Sequence, residues 1–202
     1  MADQTSHPDL HHFTHLPWCN ALLADPTYEI SLTGSRTPKP SGEDLFIAET
    51  LHSPTTVAGW ITLKKKPTPS TATNSPKPYP PIPHALCLLS LGRSLTGHAR
   101  LAHGGLTAAL LDELAGILLT VNVDAENFAH HTDRGLDAYT AYLNVSYKKP
   151  MEVPAVVLGR AWFDKVEGRK RWVGVSLEDG EGGVFARGEC LYIDFAGRAV
   201  KL

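Results

Sequence analysis

The sequence predicts an α+β fold in which one antiparallel sheet packs against one long helix. Residues 103–123 predict the helix, because apolar side chains occur on every side of its helical projection, a pattern typical of a buried helix. Residues 138–195 predict the sheet, because they are rich in β-branched and aromatic residues. Short turns between consecutive segments favour hairpins, so we expect one antiparallel sheet against the helix.

The N-terminal part divides at residue 42. Residues 1–42 are predicted to form an extension of helix and loop, and residues 43–202 the main domain. A helix is predicted at Pro17–Ala24, because proline suits a first helical turn and the following Asp25-Pro26 disfavours continuation. At the start of the main domain the pattern predicts three strands, Leu45–Leu51, Val57–Lys64 and Ala85–Leu91.

Between the second and third of these strands lies a proline-rich segment, residues 66–83. Seven prolines fall between Pro67 and Pro83. Proline lacks the backbone donor that strands and helices need, so regular structure is not expected there. We predict a flexible surface insertion at a hairpin tip, with a ligand for a proline-recognition domain as the alternative.

The C-terminal half predicts four further strands. They are Tyr139–Tyr147, Ala155–Phe163, Arg171–Glu178 and Val184–Phe195. Glu167-Gly168 and the glycine-rich Asp179–Gly183 separate the last three, as hairpin turns require.

Composition excludes several classes of protein. A length of 202 residues suits one domain, and a net charge of -2 gives no reason to expect a nucleic-acid or membrane partner. No apolar run of 18 residues lacks a charge, and the N-terminus lacks the pattern of a secretory signal. Three separated cysteines, Cys19, Cys87 and Cys190, predict buried thiols in a reducing, cytoplasmic location.

A metal site is not expected. His7, His11 and His15 have the spacing of one helical face, which could present ligands. No further ligand is arranged with them, and Pro8 and Pro17 limit a continuous helix. We therefore expect neither a metal nor another cofactor.

The predicted long helix carries two adjacent acids, Asp112 and Glu113. A buried carboxylate is costly unless it is paired or its pKa rises. Small residues lie three, four and seven positions from Asp112, namely Gly105, Ala108, Ala109, Ala115 and Gly116. Another backbone or a substrate could approach Asp112 closely along this stripe, so it is a candidate catalytic carboxylate. A structurally paired aspartate on a helix-packing stripe is the alternative.

The start of the same helix is a second candidate site. In His103-Gly104-Gly105, the glycines allow a ligand near unpaired backbone N–H groups, where a developing oxyanion would be stabilised. His103 could be structural or catalytic. Asp112 lies about 10 Å from Gly105 along the axis, at about 1.5 Å per residue. One carbonyl therefore cannot touch both, so either two copies share the site or one feature is structural.

Two segments resemble hotdog thioesterases of the phenylacetate-pathway and thioesterase-superfamily type. The first is HGGLTAALLDELAG, in which Asp112 follows His103 by nine residues, as in that motif. The second is TAYLNVSYKKP, which begins at Thr140 and ends at Pro150. The resemblance covers roughly residues 85–195. Some members carry an asparagine six residues before the histidine, where this sequence has Gly97.

The resemblance implies a sheet wrapped around the helix and composite sites in a homodimer or homotetramer. It implies Asp112 as base or nucleophile, Gly104 as an amide donor to a thioester carbonyl, and Thr140 as a group that holds the attacking water. His103, Gly105 and Tyr147 are then candidate substrate-binding residues. The implied substrate is a thioester of CoA or of an acyl-carrier protein.

Two basic residues follow the second motif strand. Lys148 and Lys149 could bind the phosphates of CoA, because lysine is a good point-charge partner for phosphate; a solvated strand end is the alternative. Two other functions stay open. One is a hotdog hydratase or dehydratase, although its Asp-x-Asn-Pro motif is absent. The other is a non-catalytic acyl-binding protein.

Overall fold

The computed structural model describes residues 7–66, 80–130 and 136–195. Its main element is a seven-stranded antiparallel sheet with the order β1-β2-β3-β7-β8-β9-β6. The strands are β1 (Tyr28–Ser31), β2 (Val57–Lys65), β3 (His84–Leu91), β6 (Ala138–Tyr147), β7 (Ala155–Glu167), β8 (Lys170–Glu178) and β9 (Val184–Asp194). A separate two-stranded ribbon joins β4 (Thr96–His98) to β5 (Leu101–Ala102).

Two α-helices accompany the sheet in the described part of the chain. The first, α1 (Pro17–Ala24), has the bounds predicted from the sequence, with Pro17 in its first turn. The second, α2 (Gly104–His130), is the predicted long helix and runs further than residue 123. Three of the C-terminal strands form consecutive hairpins as predicted, with β7, β8 and β9 adjacent in the sheet.

The predicted strand at Leu45–Leu51 is wrong. A helical turn, Phe46–Thr50, stands there, and Asp44 before it has a φ of 61°. This left-handed residue turns the chain, so the apolar residues that follow coil instead of extending. Ile47 and Ala48 are buried by that turn.

The strand β1 was not predicted. It lies within residues 1–42, yet all four of its residues pair with β2, from Tyr28 with Lys65 to Ser31 with Thr62. The predicted extension therefore contributes an edge strand to the sheet. Most of the predicted insertion 66–83 lies outside the described residues.

The sheet separates two apolar clusters. On one face α2 packs against the strands, with Leu110, Leu111, Leu114 and Leu118 all buried. Gly159 of β7 allows this approach, because a Cβ there would lie 2.5 Å from Cδ2 of Leu114. The second cluster includes Phe13 and Cys19 from the N-terminal segment, together with Ile61, Leu88 and other strand residues.

By length and composition alone, α2 could also cross a membrane. Gly104–Ala125 has a mean hydropathy of 1.6, and 61% of the 18-residue window is buried inside the protein. A core helix passes the same test. Its packing against β7, β8 and β9 is that of a core helix.

Candidate active site

Asp112 is held by hydroxyl groups from two strands. Thr140 Oγ1 on β6 donates a hydrogen bond of 3.0 Å to Asp112 Oδ1. The Tyr192 hydroxyl on β9 lies 3.1 Å from the same oxygen and 3.0 Å from the main-chain oxygen of Asp112. No residue in the described part of the chain donates to Asp112 Oδ2. One carboxylate oxygen is thus fixed and the other is open.

The pairing of β6 with β9 brings these hydroxyls together. Thr140 and Tyr192 are direct partners in the antiparallel register, so their side chains share a face of the sheet. The register shifts between Thr140 and Tyr142, which marks a bulge next to the carboxylate. Bulges often re-aim side chains near functional sites. Tyr192 was not predicted from the sequence, because its role depends on this register.

Tyr192 is placed to remain a hydrogen-bond donor. Its side chain is buried, and burial raises the pKa of its phenol well above the ordinary value. The negative charge of Asp112 raises that pKa further. The phenol is therefore protonated at neutral pH and can donate to Asp112.

The start of α2 forms the second predicted group. Gly104 is exposed, and its carbonyl oxygen accepts a hydrogen bond of 2.8 Å from the Tyr147 hydroxyl. Among the described residues, none accepts from the Gly104 N–H, so this donor is open. The structure thus brings together Gly104 and Tyr147, at the opposite end of β6 from Thr140.

His103 acts as the cap of α2. Its Nδ1 accepts a hydrogen bond of 3.0 Å from the Gly105 N–H, which requires the proton on the other ring nitrogen. The Gly105 amide is therefore already used and is not a free donor. The His103 side chain also accounts for the absence of a side chain at residue 97, because a Cβ there would lie 2.8 Å from His103 Cδ2.

The two groups are too far apart for one carbonyl to contact both within a chain. Asp112 is eight residues after Gly104 in one helix, which corresponds to about 12 Å along the axis. The strand β6 runs beside the helix between them, with Thr140 at Asp112 and Tyr147 at Gly104.

The two lysines have different environments. Lys149 Nζ lies 2.7 Å from Asp179 Oδ2 and 4.7 Å from the centre of the Phe185 ring. The Lys149 hydrogen bond and the Glu181 and Gly183 amides lower the pKa of Asp179 to about 2. Lys149 thus fastens the turn after β8. Lys148 is exposed, and its side chain has no partner in the described ranges.

The three cysteines are free and buried, as predicted. Burial raises the pKa of the thiols of Cys19 and Cys190 to about 12 and that of Cys87 to about 11. Thiols with such a pKa are weak nucleophiles at neutral pH. In the described ranges, no three His, Cys, Asp or Glu side chains are grouped as metal ligands, and His11 Nδ1 instead pairs with the Pro8 carbonyl.

An antiparallel sheet packed on one long central helix is the hotdog fold. The structure aligns with that of zebra fish thioesterase superfamily member 2 with a TM-score of 0.52 and 16% identity, over 81% of this chain and 93% of that one. Residues 100–186 match the family model of the thioesterase superfamily. Residues 100–186 are thus similar to the thioesterase superfamily, as the sequence suggested, and the fold is that of hotdog proteins.

A curated relative shows the same likeness. Acyl-coenzyme A thioesterase THEM4 of Rattus norvegicus is 31% identical over 93 residues, which is 46% of this chain and 35% of the relative. The aligned part thus spans about a third of the length of that relative.

Proposed function

We propose that this protein hydrolyses acyl-CoA thioesters and that Asp112 is its catalytic carboxylate. The observation that carries the proposal is the Asp112 carboxylate, which Thr140 and Tyr192 orient through Oδ1, while no residue in the described part of the chain donates to Oδ2. The likeness to an acyl-coenzyme A thioesterase supports CoA as the carrier. A carrier-protein thioester has the same reacting group and is the alternative substrate.

Two routes use the same groups. In the first, Asp112 takes a proton from water, the water oxygen adds to the carbonyl carbon, and the C–S bond breaks. In the second, Asp112 itself attacks and water then hydrolyses the resulting anhydride. Either way the thiolate leaves and takes up a proton. A negative oxygen develops at the carbonyl, and the open Gly104 N–H at the helix start is a fitting donor for it.

The proposed site is completed by a second copy of the chain. Gly104 and Asp112 of one helix are separated by about 12 Å, so the donor and the carboxylate would come from different subunits. The strand β6 is an edge of the sheet, and Thr140, Ala141, Asn144 and Tyr147 on it are exposed. An open edge favours pairing with another chain. We propose a homodimer or homotetramer.

The first test measures thiol release from a panel of acyl-CoA esters by the wild-type protein and by a variant that lacks the Gly104 N–H. Proline is tolerated at a first helical position and removes the N–H, so Gly104→Pro should lower kcat about a hundredfold. Gly104→Ala keeps the donor, and its Cβ would lie 3.5 Å from the Tyr147 hydroxyl, an ordinary contact. A wild-type protein that binds acyl-CoA without releasing thiol would point to the acyl-binding alternative.

The second test separates shared sites from sites within one chain. Gly104→Pro and Asp112→Asn chains are each expected to be inactive alone. If two chains share each site, mixed dimers contain one intact site, and random mixing should restore about a quarter of wild-type activity. Sedimentation should show the dimer. A fully active monomer, or no recovery in verified mixed dimers, would refute the shared site.

Lys148 is the better candidate for a CoA phosphate contact, because Lys149 is engaged by Asp179. We expect Lys148→Ala to raise KM for CoA esters and to change kcat little, because phosphate contacts bind ground and transition states alike. The effect should weaken with salt. An equal change with a pantetheine ester, which lacks the nucleotide phosphates, would contradict this role.

We also propose a reducing, cytoplasmic location, for which the three free thiols are the support. Imaging of the tagged full-length protein tests it, and accumulation in a secretory compartment would refute it.

A further inference from the structure

A pocket lies on another side of α2, outside the hydroxyl cluster at Asp112. Its volume is about 130 Å³, close to the ~150 Å³ cavity that holds a benzene ring, so it has room for about six non-hydrogen atoms. One wall is the loop that follows β1 and contributes Ser35 and Lys39. The opposite wall is the helix, which contributes Glu113, Gly116 and Thr120.

The loop wall is firmly attached. Arg36 is buried, and its guanidinium donates to the carbonyl oxygens of Val57 at 3.0 Å and of Ile47 and Leu51 at 3.4 Å. These bonds fix the loop to the start of β2 and to the helical turn at residues 46–50. Ser35 therefore has a defined position in the pocket.

The pocket adjoins the proposed catalytic carboxylate. Glu113 is the next residue after Asp112, and Gly116 lies one helical turn further on. A Cβ at Gly116 would lie 3.7 Å from the Tyr192 hydroxyl, which itself contacts Asp112. Gly116 therefore leaves the helix backbone bare between the Tyr192 hydroxyl and the pocket, where an acyl chain bound with its carbonyl at Asp112 would lie.

Two polar side chains, Ser35 and Glu113, line the pocket. Ser35 Oγ is buried and has no hydrogen-bond partner in the described part of the protein. It lies close enough to the Glu113 carboxylate to lower its pKa, although not in hydrogen-bond geometry. Burial raises the pKa of Glu113 more strongly, and Asp44 raises it further. Lys39 is already paired with Asp44.

We propose that this pocket receives the acyl group of the substrate and selects short acyl chains that end in a hydroxyl group. This inference rests on the proposed thioesterase function. A hydroxyl can donate to the Glu113 carboxylate and accept from Ser35 Oγ, so it satisfies both groups at once. A methyl group of the same size would leave the buried Ser35 hydroxyl without a partner, which is costly.

The experiment compares isosteric substrates that differ only in the last group. Hydrolysis of 4-hydroxybutanoyl-CoA is compared with that of pentanoyl-CoA, and 5-hydroxypentanoyl-CoA with hexanoyl-CoA. We expect kcat/KM to favour the hydroxyl member about tenfold, the effect of one good hydrogen bond. Ser35→Ala and Glu113→Gln should each bring this ratio close to one. Glu49→Gln removes an exposed carboxylate from the neighbouring helical turn and should keep the wild-type ratio.

The same pairs made as CoA thioethers, which cannot be hydrolysed, separate the two proposals. Calorimetry should show the same hydroxyl preference in binding. If the thioethers bind with a hydroxyl preference but no ester releases thiol, the proposed hydrolysis is refuted, whereas the proposed hydroxyl selectivity of the pocket is supported. Thiol release without a hydroxyl preference would refute the pocket. A stronger preference for the matched amino-terminated chain, or a preference that survives both pocket variants, would also overturn it.

Discussion

At the middle of α2, two neighbouring carboxylates face different surroundings. Asp112 faces β6 and β9, where Thr140 and Tyr192 hold one of its oxygens. Glu113 faces the loop after β1, where burial raises its pKa and Ser35 lies near without a hydrogen bond. Successive residues of a helix point about 100° apart, so adjacent acids of similar chemistry meet different elements.

The difference separates two roles. Hydrogen bonds that fix a carboxylate in place suit it to act on one defined atom, as a base or nucleophile must. A desolvated carboxylate beside an unpartnered hydroxyl instead gains from a ligand that supplies the missing bonds. We therefore expect changes on the Asp112 side to affect every substrate, and changes on the Glu113 side to affect selectivity.

The largest effect is expected for Asp112→Asn. This variant keeps the shape of the side chain and removes the proposed base or nucleophile, so kcat should fall at least about a hundredfold with every acyl-CoA tested. Glu113→Gln should cost much less and mainly with hydroxyacyl substrates. Steady-state thiol release measures both, and circular dichroism checks folding. A similar fall in kcat in the two variants would show that Asp112 and Glu113 do not have separate roles.

A smaller loss is expected for Thr140→Val, which removes the hydroxyl and keeps the branched shape. Hydrogen bonds to charged groups contribute about 1.5–3 kcal/mol, so kcat should fall about tenfold to a hundredfold. Thr140→Ser retains the hydroxyl and should recover most of the activity. If the serine variant were as slow as the valine variant, the hydroxyl would not be what Thr140 contributes.

The sequence predicted the surroundings of Asp112 better than the pocket at Glu113. The fully apolar helix around Asp112 and the turn residues at Gly168 and Asp179–Gly183 act locally, so they could be interpreted without the fold. The segment Leu45–Leu51 could not, because its apolar residues suit an extended or a coiled chain and the left-handed Asp44 decides between them. Strand β1 is only four residues long and depends on its pairing with β2.

The other contacts that could not be predicted from the sequence depend on pairing between distant segments of the chain. Tyr192 reaches Asp112 only because it pairs with Thr140, 52 positions earlier in the chain. Ser35 meets Glu113 only because Arg36 fastens its loop to β2. Neither contact follows from the composition or the periodicity of one segment.

Tyr192→Phe tests whether both hydroxyls are needed. The ring would stay packed, and the single phenol hydrogen is shared between Oδ1 and the main-chain oxygen of Asp112. The loss is therefore smaller than for Thr140, about 1 kcal/mol, and kcat should fall about fivefold. Tyr28→Phe removes a phenol hydroxyl bonded to His84, away from the site, and should leave kcat unchanged. In the double variant with Thr140→Val, the losses should not simply add, because both hydroxyls hold the same oxygen. Strict additivity would mean that the two act separately.

The smallest effect is expected at Gly116, which lies between the two sides. Glycine within a helix is less stable than alanine by about 0.5–1 kcal/mol, and a Cβ here would meet the Tyr192 hydroxyl at an ordinary 3.7 Å. Gly116→Ala should therefore raise Tm by about 1–4 °C, since each 1 kcal/mol shifts Tm by about 2–4 °C in a protein of this size.

The same methyl group narrows the path from Asp112 to the pocket. We expect kcat/KM for pentanoyl-CoA and hexanoyl-CoA to fall about twofold to threefold in Gly116→Ala, a difference of well under 1 kcal/mol, and that for acetyl-CoA to change less. Scanning calorimetry and thiol release on the same preparation measure the stability and the selectivity. Greater stability with a selective loss of longer acyl chains would show that glycine serves passage of the substrate at a cost to the helix. A lower Tm would instead show that the methyl group displaces Tyr192, and an equal loss with acetyl-CoA would place the effect at Asp112 and not in the pocket.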